Sequence, residues 1–124
     1  MTHNWQIIRD ILIRLEEAET PSIFINARSF DAYPEQDVAN NMLLLSEAGC
    51  IEAEIVFKKD GIGEIGLALA NRLKAPGADL LNSLSSTVVW PKIEELFASK
   101  GMDTTFELVL NNHKRIKERL LFGQ

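Results

Sequence analysis

The feature that most constrains the fold is a change of hydrophobic period at Gly49. Over residues 34–48, apolar side chains recur at helical spacing and acidic residues occupy the first turn, where they favour the helix dipole. Over residues 50–57, apolar and polar side chains alternate instead. Because glycine is typical of helix ends, the sequence predicts a helix over 34–48 followed directly by a strand with one polar side.

The residues after this strand fit two structures. Residues 58–63, Lys-Lys-Asp-Gly-Ile-Gly, have turn chemistry. Residues 66–73 then match an alternating strand and a helical stripe equally well. A strand over 50–57 needs a partner and the turn resembles that of a hairpin, so we predict a strand over 66–73, with a helix as the alternative.

Periodicity and end signals predict the other elements. Pro91 must lie in the first turn of its helix, where a missing N–H is harmless, and Thr104 with Glu107 forms a capping-box pattern. The predicted elements are a helix over 4–18, a short strand within 22–30, and helices over about 76–85, 88–99 and 104–121.

This order predicts an α+β fold in a single domain over 1–124. Its core, about 1–85, has the winged-helix-like order of helix, short strand, helix and two-stranded hairpin. Two or three helices follow as a C-terminal extension, about 86–124. The 46% apolar and 25% charged residues fit one globular domain.

Composition also indicates the setting of the protein. A single cysteine, Cys50, cannot form an internal disulfide, which favours a reducing, cytoplasmic location. No apolar run is long enough to cross a membrane, and the N-terminus lacks the apolar stretch of a signal peptide. We therefore expect a soluble protein with no membrane partner.

Charge is divided unequally along the chain. Residues 1–54 carry three basic and ten acidic side chains, a net charge of −7, while residues 55–124 carry ten basic and eight acidic ones, a net charge of +2. The helix that would enter a DNA groove contains no Lys or Arg over 34–49. Because phosphate binding needs clustered cations, this distribution disfavours a nucleic-acid partner.

The predicted binding surface is therefore one for protein. In a winged helix the groove-facing positions of the helix would be Ala39, Asn40, Leu43 and Glu47, and Asn40 and Asn41 could read adenine edges. We predict a protein partner, or a second copy in a homodimer, and no catalytic residues. The predicted partner-binding residues are Asn40, Leu43, Glu47, Phe106 and Leu121.

The alternative hypothesis is a DNA-binding transcriptional regulator. Its phosphate contacts would come from the hairpin tip, or wing, and from the basic run of the last helix. These residues are Lys58, Lys59, Lys114, Arg115, Lys117 and Arg119.

The motifs that suggest enzymatic chemistry are weak. Residues 61–66 match G-x-G-x-x-G, but charged residues precede the first glycine where a dinucleotide fold needs a buried strand, so we predict a hairpin tip and no cofactor. Cys50 is predicted to be a small buried side chain, and His113, on an apolar helix stripe, a structural histidine. No metal site is predicted.

Several segments resemble a known family. These are NWQIIRDILIRLEE, DVANNMLLLSEAGCIEAE, RLKAPGADLLNSL, TVVWPKIEELFASKG and KRIKERLLFG. The chain is similar to a bacterial and phage-encoded family catalogued as a domain of unknown function. The chain retains that family's Glu-Ala-Gly turn, Gly77, Leu81 and Trp90; it has Asn41 and Ala78 where members often carry histidine, and Pro91 where a helix former is usual. The resemblance implies a winged-helix-like fold, a phage or mobile-element context, and no established activity.

Overall fold

The computed structural model describes residues 4–18, 24–59 and 63–122, without the side chain of Leu121. The elements are, in chain order, α1 (Trp5–Glu17), β1 (Ile25–Asn26), a 3₁₀ turn (Ala27–Ser29), α2 (Glu35–Glu47), β2 (Ile51–Phe57), β3 (Ile65–Leu73), α3 (Ala75–Ser85), α4 (Val89–Ser99) and α5 (Phe106–Phe122). This confirms the predicted α+β class and the order of helix, short strand, helix, hairpin and C-terminal helices.

The three strands form one antiparallel sheet in the order β1–β3–β2. Residue Ala70 of β3 pairs with Ile25 of β1 on one side and with Ala53 of β2 on the other. The helix alternative for residues 66–73 is therefore wrong, because β3 has strand neighbours on both sides and forms ladders with each of them.

The first strand is shorter than predicted. Within 22–30, only Ile25 and Asn26 are paired in the sheet, and residues 22–23 lie outside the described part of the chain. The Asn26 side chain accepts a 3.0 Å hydrogen bond from the Arg28 backbone N–H. This local turn draws the chain into the 3₁₀ conformation and ends the pairing with β3.

The glycine-rich motif over 61–66 does not begin a helix. Gly63 has a φ of +79°, and Gly66 lies within β3. A dinucleotide-binding turn leads into a helix whose N-terminus receives the pyrophosphate, whereas a strand follows here. The prediction of a hairpin tip stays a prediction, because residues 60–62 lie outside the described part of the chain.

By contact density the chain divides into two compact units, Met1–Ala78 and Asp79–Gln124, hereafter unit 1 and unit 2. In unit 1, α1 and α2 bury apolar side chains together with one face of the sheet. The buried side chains of this core include Ile8, Ile11, Leu12, Val38, Met42, Leu45, Ile51, Ile65, Ala68 and Ala70.

Gln36 attaches α2 to the start of β3. Its side-chain amide donates to the Ile65 carbonyl at 2.6 Å, and its Oε1 accepts from the Ile65 N–H at 3.2 Å. One side chain thus satisfies both backbone groups of Ile65, as a neighbouring strand would.

A close backbone approach fixes the beginning of α3 in unit 1. The Cys50 carbonyl accepts a 3.0 Å hydrogen bond from the Lys74 N–H. A Cβ atom built on Gly77 would lie 2.2 Å from that same carbonyl oxygen and 2.9 Å from Leu73 Cδ1. Glycine is therefore required at position 77 for reasons of space.

Unit 2 contains α4, α5 and α3 from Asp79 onward. Its buried apolar side chains are Leu80, Leu81, Leu84, Val89, Ile93, Phe97, Phe106 and Val109. Pro91 lies in the first turn of α4, as predicted. The cap of α5 is one residue later than predicted: Thr105 precedes the helix, and its hydroxyl accepts from the Leu108 N–H at 3.3 Å.

Candidate protein-binding surface

The face of α2 predicted to meet a partner is only partly on the surface. Ala39 is 2% exposed, so its assignment as a groove-facing residue is wrong. Asn40 and Leu43 are partly exposed, and Glu47 is exposed. Ala39 lies three positions before buried Met42 and next to buried Val38. It therefore belongs to the buried side of α2.

Asn41 is a structural residue and cannot read a ligand. It is 1% exposed. Its Oδ1 accepts from the Asn4 N–H at 3.0 Å, and its Nδ2 donates to the Asp37 carbonyl at 2.7 Å. Asn4 is the N-cap of α1, so Asn41 joins the start of that helix to α2. The proposal that Asn41 reads adenine is therefore wrong.

Unit 1 carries all of the net negative charge of the chain. It has seven basic and twelve acidic side chains, whereas unit 2 has six of each. The first turn of α2 holds Glu35 and Asp37. An Arg28 guanidinium nitrogen lies 3.8 Å from a carboxylate oxygen of Glu35, so this cation is turned toward an acid of the same unit.

The two lysines predicted to touch phosphate at the hairpin have different surroundings. Lys58 Nζ lies 3.0 Å from a Glu64 carboxylate oxygen across the hairpin. Lys59 is exposed, and the tip beyond it, residues 60–62, lies outside the described part of the chain. One of the two charges is thus compensated locally.

The basic run of α5 is not a single phosphate-facing row. Lys114 Nζ lies 3.2 Å from the Asp79 carboxylate, and Lys117 Nζ donates to the Asn82 side-chain oxygen. Arg115 and Arg119 are exposed. Two of the four predicted phosphate contacts therefore bind residues in the part of α3 that belongs to unit 2.

Of the two predicted C-terminal partner residues, Phe106 has a described side chain and Leu121 does not. Phe106 is 5% exposed, so the prediction that it meets a partner is wrong. It lies three positions before Val109, on the buried stripe of α5. The side chain of Leu121 lies outside the described part of the chain, while that of Phe122 is 70% exposed.

His113 is buried and hydrogen-bonded, as predicted for a structural histidine. It is 2% exposed, and its Nδ1 lies 2.8 Å from Oγ of Ser83, which is fully buried. Burial lowers the pKa of His113; the Asp79 charge opposes this shift, while Lys114 and Lys117 add to it. The burial of both side chains favours a structural role for the pair.

Cys50 is also buried, as predicted. Desolvation raises the pKa of its thiol to about 11. A thiol in this state is a poor nucleophile and packs as a small apolar side chain. Among the described residues, no group of His, Cys, Asp and Glu side chains is arranged to hold a metal ion.

The sheet of unit 1 exposes apolar side chains on the face away from the helices. Val56 of β2 is 53% exposed and pairs with Leu67 of β3. Leu69, two residues further along β3, lies on the same face and is partly exposed. Phe24, next to buried Ile25, is 51% exposed. We name Phe24, Val56, Leu67 and Leu69 the outer patch.

The patch was not predicted, because β2 appeared to have a fully polar outer face. Glu52 and Glu54 fit that pattern, but Val56 occupies the next outward position. Phe57 alternates with these residues and lies on the helix-facing side of β2, yet it is 49% exposed. It ends β2 immediately after an irregularity in the pairing with β3, so it lies at the margin of the core.

None of the described helices is both long and apolar enough to cross a bilayer.

Comparison with known proteins confirms the resemblance. A family model described as "Hypothetical protein (DUF2513)" matches residues 2–103. An "Uncharacterized protein" from Haemophilus influenzae is 26% identical over 121 residues, which cover 98% of this chain and 99% of the relative. No solved structure matches the chain. Because the family model covers most of the sequence, this protein belongs to the hypothetical-protein family DUF2513.

Proposed function

We propose that this protein is non-catalytic and acts by binding another protein through the sheet of unit 1, on a winged-helix-like scaffold. The observation that carries the proposal is the outer patch, in which Phe24 and Val56 are each more than half exposed. Isolated apolar side chains are normal on protein surfaces, but contiguous ones mark interaction surfaces. Val56 and Leu67 are direct cross-strand neighbours, which makes this part of the patch contiguous.

The charge of unit 1 supports protein over nucleic acid. In a winged-helix domain that binds DNA, the helix in the position of α2 enters the groove while cations on and around it bind phosphates. Here residues 34–49 contain no cation, and the unit as a whole carries a net charge of −5. A polyphosphate would be repelled, whereas a protein with apolar and basic groups would be attracted.

Site-specific photo-crosslinking tests the proposal. Benzoylphenylalanine replaces Val56 in one variant and Val88 in another, in bacterial cells that produce the chain. Val88 is the matched control, because it is also valine and is 64% exposed but lies in unit 2. We expect a discrete protein adduct from position 56, none from position 88, and a loss of the adduct when Leu69→Lys places a charge in the patch.

Three outcomes would overturn the proposal. Adducts that nuclease degrades would favour the DNA-binding alternative. Equal adducts from positions 56 and 88 would show unspecific contact. An adduct formed only with a second copy of the chain would show self-association and no separate protein partner.

A further inference from the structure

Strand β2 lies at an edge of the sheet. In the order β1–β3–β2 it pairs with β3 on one side, and no described strand pairs with its other side. It is seven residues long. Backbone N–H and C=O groups along such an edge can pair with an added extended segment, which is a recurring mode of peptide recognition.

The side chains of β2 specify what could pair there. On the outer face, Glu52 makes only a long 3.7 Å contact with Arg72, and both side chains are about half exposed. Glu54 is exposed and stands opposite apolar Leu69, with no ion pair among the described residues. On the helix-covered face, Ile55 is partly exposed and Phe57 is exposed.

We propose that β2 binds an extended segment of the partner protein as a fourth strand, and that this segment alternates basic and apolar residues. Its basic side chains would lie beside Glu52 and Glu54, and its apolar side chains beside Ile55 and Phe57. Opposite charges and apolar pairs on neighbouring strands stabilise strand pairing. The side chains of β2 would therefore select a segment with this alternation. This inference rests on the protein-binding role proposed above and names the class of partner.

In two of its registers, a second copy of β2 fits this edge poorly. Antiparallel pairing centred on Ala53 would place Glu52 beside Glu54 of the other copy. Parallel pairing in register would place each glutamate beside its own counterpart. Like charges on neighbouring strands destabilise pairing, so these two registers are disfavoured, whereas a basic segment meets opposite charges at Glu52 and Glu54.

The test uses the full-length protein and a fluorescein-labelled peptide, Lys-Val-Lys-Val-Lys-Val-Lys, whose seven residues match the length of β2. Fluorescence anisotropy measures binding. We expect saturable binding that Glu54→Lys weakens about tenfold, because an attractive pair becomes a repulsive one. Glu94→Lys is the matched control; it makes the same charge change at an exposed position of α4 and should leave affinity within about twofold.

Two further peptides separate strand pairing from simple charge attraction. A peptide of the same composition with all lysines first should bind about tenfold more weakly, because its residues no longer alternate between the two faces. N-methylation of alternate backbone amides should abolish binding, because it removes the donors that pair with β2. A Glu-Val alternating peptide should bind the double variant Glu52→Lys/Glu54→Lys and not the native chain.

The inference is overturned if no saturable binding occurs, if Glu94→Lys weakens binding as much as Glu54→Lys, or if the methylated peptide binds as well as the parent. Each result leaves the crosslinking experiment interpretable. An adduct from position 56 in a protein that binds no peptide would overturn strand addition and retain the proposed function. Peptide binding without such an adduct would overturn the proposed partner in cells.

Discussion

Ser83 and His113 are joined by a 2.8 Å hydrogen bond in the interior of unit 2, and both side chains are buried. Burial lowers the pKa of His113 below its ordinary value of 6.5, with Asp79 opposing and Lys114 and Lys117 assisting. The neutral imidazole is therefore favoured in the folded state. The contribution of neutral His113 to the free energy of unfolding is fully present above pH 6.5. It is lost as pH falls through the lower pKa of the folded state.

We therefore predict that unit 2 is less stable at pH 5.5 than at pH 7.5. Urea unfolding monitored by the fluorescence of Trp90, in a Trp5→Phe background, measures the free energy of unfolding at each pH. His113→Gln, which keeps a hydrogen-bonding group for Ser83 but does not titrate, should reduce this pH dependence. An unchanged pH dependence in that variant would contradict the assignment to His113.

The next prediction concerns the space at Gly77. Gly77→Ala would place Cβ 2.2 Å from the Cys50 carbonyl oxygen, so backbone must move. We expect a loss of at least about 2 kcal/mol in the free energy of unfolding, measured in urea. Gly66→Ala is the control, because the nearest atom to its new Cβ would be Cγ of the flexible Lys58 side chain, at 3.3 Å. Its effect on the free energy of unfolding should stay within about 1 kcal/mol. Equal effects of the two substitutions would refute the steric explanation.

Asn41 should be important for stability although it resembles a surface residue in the sequence. Asn41→Leu keeps a similar volume but removes the acceptor for the Asn4 N–H. We expect a loss of about 1–3 kcal/mol in the free energy of unfolding, the usual cost of an unsatisfied buried polar group. The neighbouring substitution Asn40→Ala, at a partly exposed position, should change it by less than about 0.5 kcal/mol. An unchanged free energy of unfolding in Asn41→Leu would contradict the structural role of this hydrogen bond.

Tyr33 gives a direct spectroscopic test, because it is the single tyrosine of the chain. Its hydroxyl donates a hydrogen bond to the Asp10 carboxylate, and this bond, followed by burial and the Asp10 charge, raises the pKa of Tyr33 to about 12. Phenolate absorbance should therefore rise at a higher pH than the ordinary 10. Asp10→Asn should move the midpoint back toward 10; a midpoint near 10 in the native chain would show that this contact does not form.

The main elements could be predicted because the hydrophobic period changes clearly where the structure changes. Gly49 separates a segment with helical hydrophobic spacing from one with strand alternation. In the structure it lies between the end of α2 and the start of β2. The strand β3 was ambiguous from periodicity, and only the need for a partner to β2 favoured the correct alternative. The observed cap of α5 is Thr105 and the predicted one is Thr104, because both threonines are suitable caps by composition.

The candidate surface was much harder to predict than the fold. Val56 and Phe57 are exposed because the core ends before them along β2. Packing and the irregularity between Val56 and Phe57 set this boundary, and composition does not reveal either. Burial of Asn41 depends on a hydrogen bond to Asn4, 37 residues away. The absence of cations from 34–49, in contrast, is a property of the sequence itself.

We propose that unit 1 binds protein and not nucleic acid. The most direct measurement is the fluorescence anisotropy of a labelled DNA duplex titrated with the chain at low and at moderate salt. We expect no saturable binding at either salt concentration, because unit 1 carries a net charge of −5. Saturable binding that weakens steeply with salt, and that Lys58→Glu and Lys59→Glu abolish, would contradict it.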